Sequence, residues 1–150
     1  MRNGLTLIEV LIVIAISAFL TIGSLAVYSN FNKGKAFDAG IQGVVNLLRD
    51  AKSNTLASKD AAVYGVHFET NRAVFFKGST FSEPDPFNRV YTMPADIELS
   101  SIVINGGGSD IVFDRLTGET GQFGTTTISR ISDPGVTKDI IIGATGVVEY

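Results

Sequence analysis

A single carboxylate set inside a long apolar run is the residue best placed to do chemistry in this 150-residue chain. Residues 5–27 contain no Lys, Arg, Asp or Pro and one acid, Glu9. A charge at the centre of a spanning helix costs on the order of 2.5–3.5 kcal/mol on insertion scales, so it marks a function or a partner. No Lys or Arg follows Glu9 within two helical turns. The nearest cation would be a free α-amino group, present close by only if the chain were cut after Gly4. A salt bridge from Glu9 to that amine, its own or a neighbour's, would offset the cost of burial.

The other chemically able residues read as structural. His67 is the one histidine, and strand parity sets it opposite Tyr64, Val66 and Phe68, on a solvated face. With no cysteine and one histidine, a conventional structural zinc site is out of reach. Asp110, Asp114 and Glu119 lie close in sequence, but not at the alternating spacing of an EF-hand loop, so turn-capping and solvated carboxylates are expected. Gly106-Gly107-Gly108-Ser109 lacks the Lys-Ser or Lys-Thr of a phosphate loop and opens no helix; it reads as a flexible hairpin connection. Without a second histidine or a paired base no nucleophilic triad can be assembled. No catalytic residue, metal or cofactor is expected, and the chain does not read as an enzyme.

These residues need elements to position them. At 1.5 Å per residue, the 23 residues of the apolar run could cross a hydrocarbon core of roughly 30 Å. Arg2 on the short flank would keep that end cytoplasmic and send the rest across. Beyond a polar stretch at residues 30–35, where Gly34 suggests a bend or fraying, Ile41, Val44, Val45, Leu48, Ala51 and Thr55 or Leu56 recur at three- and four-residue steps. That is one apolar face of an amphipathic helix over about 36–58. If helical throughout, residues 5–58 would measure about 80 Å, far more than one bilayer.

The period then changes to two. Strands are expected at 63–69, 73–76, 89–92, 97–99, 101–104, 111–113, 125–131 and 138–143, with a closing hairpin through Gly146. Pro84-Asp85-Pro86 marks residues 78–88 as a loop, and Asp133-Pro134-Gly135 separates the last two long strands. Helix first and antiparallel strands after make an α+β fold, the amphipathic helix covering one sheet face. The length suits one compact domain. The expected organisation is a leader at 1–4, a transmembrane and assembly helix at 5–29, and a globular domain at 30–150 with strands from about 62. The formal charge of −3 and pI near 5.0 give no general pull toward polyanions. The absence of cysteine excludes a disulfide framework.

Gly4-Leu5-Thr6-Leu7-Ile8-Glu9 resembles the class III signal of type IV pilins and type II secretion pseudopilins. The resemblance implies that a prepilin peptidase cuts between Gly4 and Leu5 on the cytoplasmic face and methylates the new terminus. It also implies that Glu9, fifth after the cut, pairs with the terminal amine of an adjacent subunit during assembly. Two residues depart from the family pattern. Leu5 stands where phenylalanine is usual, and Ala26 lies where many major pilins carry a proline; the latter favours a minor subunit. An ordinary secretory signal is the competing reading, since Ser24-Leu25-Ala26 satisfies the small-x-small rule with cleavage before Val27. Against it stand the length of the apolar run and Glu9 itself.

The soluble part is similar to the H-type pseudopilin and minor pilin group, GspH/FimT. The similarity rests on the helix around Val44-Val45-Asn46-Leu47-Leu48-Arg49-Asp50, on Ile111-Val112-Phe113-Asp114 followed by Gly118, and on the closing Gly146-Val147-Val148. It implies a structural subunit of a pilus or secretion pseudopilus, whose partners are homologous subunits, the prepilin peptidase and membrane lipid before assembly. The location implied is the inner membrane, single-pass, and then a filament. A major pilin and a tip-located binding module for adhesion or DNA uptake remain open. Some members of this group bind DNA through arginines near the C-terminus, but Gly143-Ala144-Thr145-Gly146-Val147-Val148-Glu149-Tyr150 has none. Arg115, Arg130 and Lys138 are scattered, and removal of residues 1–4 leaves eleven basic against fifteen acidic side chains. Nucleic acid is therefore not an expected partner.

Overall fold

The computed structural model describes the chain from residue 6 to residue 150, apart from the side chains of residues 22–27, 29 and 30. The chain forms two compact units, Met1–Lys35 and Ala36–Tyr150. One helix, α1 (Leu7–Leu56), contributes to both. It continues through Gly34, where fraying was expected. A helical glycine costs about 1 kcal/mol relative to alanine, which the flanking helix formers outweigh. The boundary between the units falls at that polar stretch.

In the second unit, α1 buries the stripe its spacing calls for: Ile41, Val44, Val45, Leu48, Ala51 and Thr55, joined by Leu47. Leu56 lies outside the stripe and is exposed. The helix ends where Ser58 turns left-handed, φ 48°, without the glycine usual at such a stop. A 3₁₀ turn, Lys59–Ala61, leads to the strands.

The strands are β1 (Tyr64–Glu69), β2 (Arg72–Lys77), β3 (Arg89–Thr92), β4 (Ile97–Ile104), β5 (Asp110–Val112), β6 (Gly124–Arg130), β7 (Asp133–Ile142) and β8 (Val148–Glu149). They form two four-stranded sheets, in the orders β3-β2-β1-β5 and β4-β6-β7-β8, and every pairing is antiparallel. This is the α+β class expected, with two sheets sharing the helix. Val66 opposite Phe75 and Ile111, with Tyr64 and Phe68 on the same face, meets the helical stripe from one sheet. Leu99, Ile128, Ile140 and Ile142 meet it from the other, and all of them belong to one core. Gly43 permits close packing: a Cβ there would fall 2.0 Å from Tyr91 Cζ, and the Tyr91 hydroxyl donates to the Ala39 carbonyl at 2.7 Å.

Three connections differ from expectation. The two short strands foreseen at 97–104 are one strand, β4, whose register shifts between Leu99 and Ser101. The Gly106–Gly108 turn is no hairpin: β4 pairs with β6 and β5 with β1, so the glycines, all at positive φ, carry the chain between sheets. Asp133-Pro134-Gly135 lies within β7. The turn sits one step earlier, at Ile131-Ser132, held by Asp96, which accepts from the Ser132 amide at 2.7 Å and through its carbonyl from the Ile131 amide at 2.8 Å. Pro134 is tolerated because the register skips from Arg130↔Asp133 to Ser129↔Thr137, so its missing N–H breaks no ladder bond.

Candidate assembly and processing site

Glu9 stands in the first turn of α1 and is exposed. Thr6 caps the helix: its Oγ1 accepts the Glu9 backbone N–H at 3.3 Å, and its carbonyl accepts the Val10 N–H at 3.3 Å. Thr6-Leu7-Ile8-Glu9 thus has the spacing of a capping box, with an acid at the third helical position. Sequence reasoning missed this role, although Thr-x-x-Glu is legible in the chain. An acid near a helix N-terminus contributes about 0.3–1 kcal/mol. That is less than the 2.5–3.5 kcal/mol insertion cost, so helix initiation does not by itself account for a charge among apolar residues. Among the described residues no cation forms an ion pair with Glu9. Gly4 and Leu5, where cleavage is expected, lie outside the described residues.

The described large apolar side chains of the first unit are exposed. Exposures run from 44% at Val10 to 79% at Leu7 and Phe19, and include Ile8, Leu11, Ile12, Val13, Ile14, Ile16 and Leu20. A helix apolar on all sides belongs in a core or a membrane. Burying one such side chain contributes about 1.5–3 kcal/mol, so these ten strongly favour an apolar surrounding. Among the described residues no helix is long and apolar enough to cross a membrane. The continuous stretch of described side chains at residues 6–21 spans about 24 Å, short of the roughly 30 Å needed. Leu5 and residues 22–27, which would complete the expected span, fall outside it.

The remaining candidates do not assemble into a reactive centre. His67 is not on an open face: its Nδ1 lies 2.5 Å from Asp110 Oδ1 and its Nε2 3.5 Å from Glu69 Oε1. Its ring stacks on Phe81, centroids 4.0 Å apart. Phe81 belongs to the loop between β2 and β3 and also meets Phe76 edge-on. Together they cover the outer face of the first sheet, where Val74 and Phe76 are fully buried outside the main core. Arg72 forks to both oxygens of Glu69 and both of Glu83. Hydrogen bonds from Arg72 hold the Glu69 and Glu83 carboxyls below the ordinary carboxylate range, and both acids push the guanidinium pKa up. Asp114 and Glu119 engage each other through backbone, Asp114 N–H to Glu119 O at 2.8 Å. Among the described residues no group of three His, Cys, Asp or Glu is arranged to hold a metal.

Comparison with known proteins bears on the N-terminus. Residues 1–25 match the family described as the prokaryotic N-terminal methylation motif. No curated protein and no solved structure matches the chain. The match covers the leader expected at Gly4-Leu5 and the turn that holds Glu9. It supports a pilin-like or pseudopilin subunit with a structural role, handled by a prepilin peptidase and associated with other such subunits.

Proposed function

We propose that this chain is a minor pilin or pseudopilin of the H-type kind, cut between Gly4 and Leu5, methylated at Leu5 and assembled through α1. One observation carries the reading: a methylation motif over residues 1–25 runs into a helix whose first half exposes its described large apolar side chains, with Glu9 the one acid in its first turn. In this reading residues 1–4 are the leader and residues 5–29 span the inner membrane with the N-terminus cytoplasmic. The domain from residue 30 stands outside. On assembly the apolar residues leave lipid for the helices of neighbouring subunits, so the transfer exchanges one apolar surrounding for another. Glu9 then supplies register, because its carboxylate is satisfied where a neighbour's terminal amine meets it.

Mass spectrometry of the mature N-terminus tests the proposal. A methylated Leu5 is expected. A start at Val27, or a retained Met1, would overturn it. The machine served, pilus or secretion pseudopilus, is separated by purifying filaments from the native host and asking whether this chain is in them.

A further inference from the structure

The sheet β4-β6-β7-β8 has two edges, and the chain treats them differently. At β4 the Leu99 N–H donates to the Thr70 carbonyl at 2.9 Å, so the turn between β1 and β2 engages that edge. On the other side β8 pairs with β7 only at Ile141 and Ile142, while β7 continues along β6 to Thr137. The Gly143 N–H donates to the Val147 carbonyl at 2.9 Å, toward β8. Backbone groups alternate in direction along an antiparallel strand, so those of Ile141, Asp139 and Thr137 point the same way. Ile141 meets Glu149. Asp139 and Thr137 meet no strand on that side among the described residues, which leaves two N–H donors and two carbonyl acceptors in line with β8.

A cleft of about 450 Å³ lies at this edge, lined by Thr137, Lys138, Asp139, Ile141, Glu149 and Tyr150. A second, also about 450 Å³, shares Lys138 and Tyr150 and reaches Phe37, Asp38 and Ile41 of α1. The two faces of the edge differ in chemistry. Lys138 shares a face with the buried Ile140 and Ile142. On that side Arg49 lies over the Tyr150 ring and Arg130 over the Phe37 ring, a setting that suits an arriving aromatic ring and opposes a base. Asp139 stands on the outer face with Ile141 and Glu149 and accepts from Thr127 Oγ1 at 2.7 Å. Neither Asp139 nor Glu149 forms an ion pair among the described residues. A residue added opposite Asp139 would have that acid across from it and Glu149 next along the same face, which suits a base.

We propose that β7 and α1 form a docking groove for an extended strand of a partner protein. The strand adds to the sheet in line with β8, with a basic residue outward opposite Asp139 and an aromatic residue inward opposite Lys138. Main-chain bonds supply the affinity, and the alternate side chains select the partner. A second copy of this chain is the poorer occupant. Two β7 edges would pair Thr137 with Asp139 and set Lys138 directly against Lys138, a like-charge pair that destabilises. Sliding one way meets the register skip before Thr137, and sliding the other way displaces β8.

The probe is acetyl-Lys-Phe-Thr-Val with a C-terminal fluorophore, read by anisotropy against the full chain in detergent micelles, with micelles alone as the blank. Run antiparallel to β7, its lysine falls opposite Asp139, its phenylalanine opposite Lys138 and its threonine opposite Thr137. Methylating the peptide's threonine nitrogen removes an N–H aimed at β7 and should weaken binding about tenfold or more. Methylating its phenylalanine nitrogen, aimed away, should change binding by less than about threefold. Exchanging the peptide's lysine for glutamate should weaken binding about tenfold, a difference that shrinks as salt rises and disappears in the double variant Asp139→Asn, Glu149→Gln. Thr137→Pro removes an outward N–H at an edge, where proline is tolerated, and should lower binding about tenfold at an unchanged melting temperature. The inference fails if the peptide does not bind at millimolar concentration, if both methylated peptides bind alike, or if the lysine and glutamate peptides bind equally. It also fails if Thr137→Cys and Asp139→Cys chains, in a protein with no cysteine of its own, cross-link to each other when mixed without peptide, which would make the edge an interface between copies. None of these outcomes depends on how the N-terminus is processed.

Discussion

Replacing Glu9 by leucine separates the needs of membrane insertion from those of assembly. The change removes a charge whose insertion costs about 2.5–3.5 kcal/mol and gives up a first-turn acid worth about 0.3–1 kcal/mol to the helix start. The balance favours the apolar phase by about 2 kcal/mol, roughly 30-fold. In the filament the sign reverses. Removing one member of a buried charge pair costs about 3–5 kcal/mol, a loss of roughly a hundredfold or more per contact. Glu9→Leu should therefore accumulate in membranes at least as well as the parent, yet fall at least about a hundredfold in sheared filaments measured by quantitative immunoblot. Thr6→Ala is the control, because it removes the hydroxyl that caps the Glu9 N–H and keeps the carboxylate. It costs about 0.5–2 kcal/mol of helix initiation and should still enter filaments. If Glu9→Leu is incorporated normally, the pairing argument is wrong. If Thr6→Ala fails as badly, Glu9 acts through the helix start and not through a neighbour. Mass spectrometry of each variant ensures that cleavage has not changed.

Other perturbations test the domain. Gly43→Ala gains about 1 kcal/mol of helix propensity, but its Cβ would overlap the Tyr91 ring. The net loss should be about 1–3 kcal/mol in urea unfolding, and in a Tyr91→Ala background the same change should become neutral or stabilising. Leu48→Ala opens a cavity at a fully buried position on α1 and should cost about 2–5 kcal/mol. Arg72→Gln should act through pH. Arg72 lowers the Glu69 and Glu83 pKa values in the folded state, so its support is present above the unfolded carboxylate value and is lost as pH falls through the folded one. The melting-temperature gap between parent and variant should be full above the ordinary glutamate range and close as pH falls below it; a gap independent of pH would show that Arg72 acts by packing alone. Phe81→Ala removes the ring stacked on His67 and should speed proteolytic cleavage within residues 78–88, a change read by limited proteolysis.

What was legible in the chain is what depends on one element at a time. The stripe Ile41, Val44, Val45, Leu48 and Ala51 is a period, and it is buried as read. The alternation in 63–69 yields β1 within one residue. Partnership is a different kind of information. No local pattern says that β5 returns to β1 while β4 joins β6, so the division of the strands into two sheets was not legible. His67 was placed on the correct face, but that face is covered by Phe81, from a loop whose prolines said only that it was no strand. The open edge of β7 escaped for the same reason, since it is defined by how far β8 pairs along it. Glu9 is the exception, and the exception is instructive. Its oddity is a charge among apolar residues, a mismatch with solvent that exists before any tertiary contact forms. Among the described residues no cation pairs with it. In the proposed assembly that cost is met by a terminal amine, and this is why the N-terminus could be read for function while the domain could be read only for form.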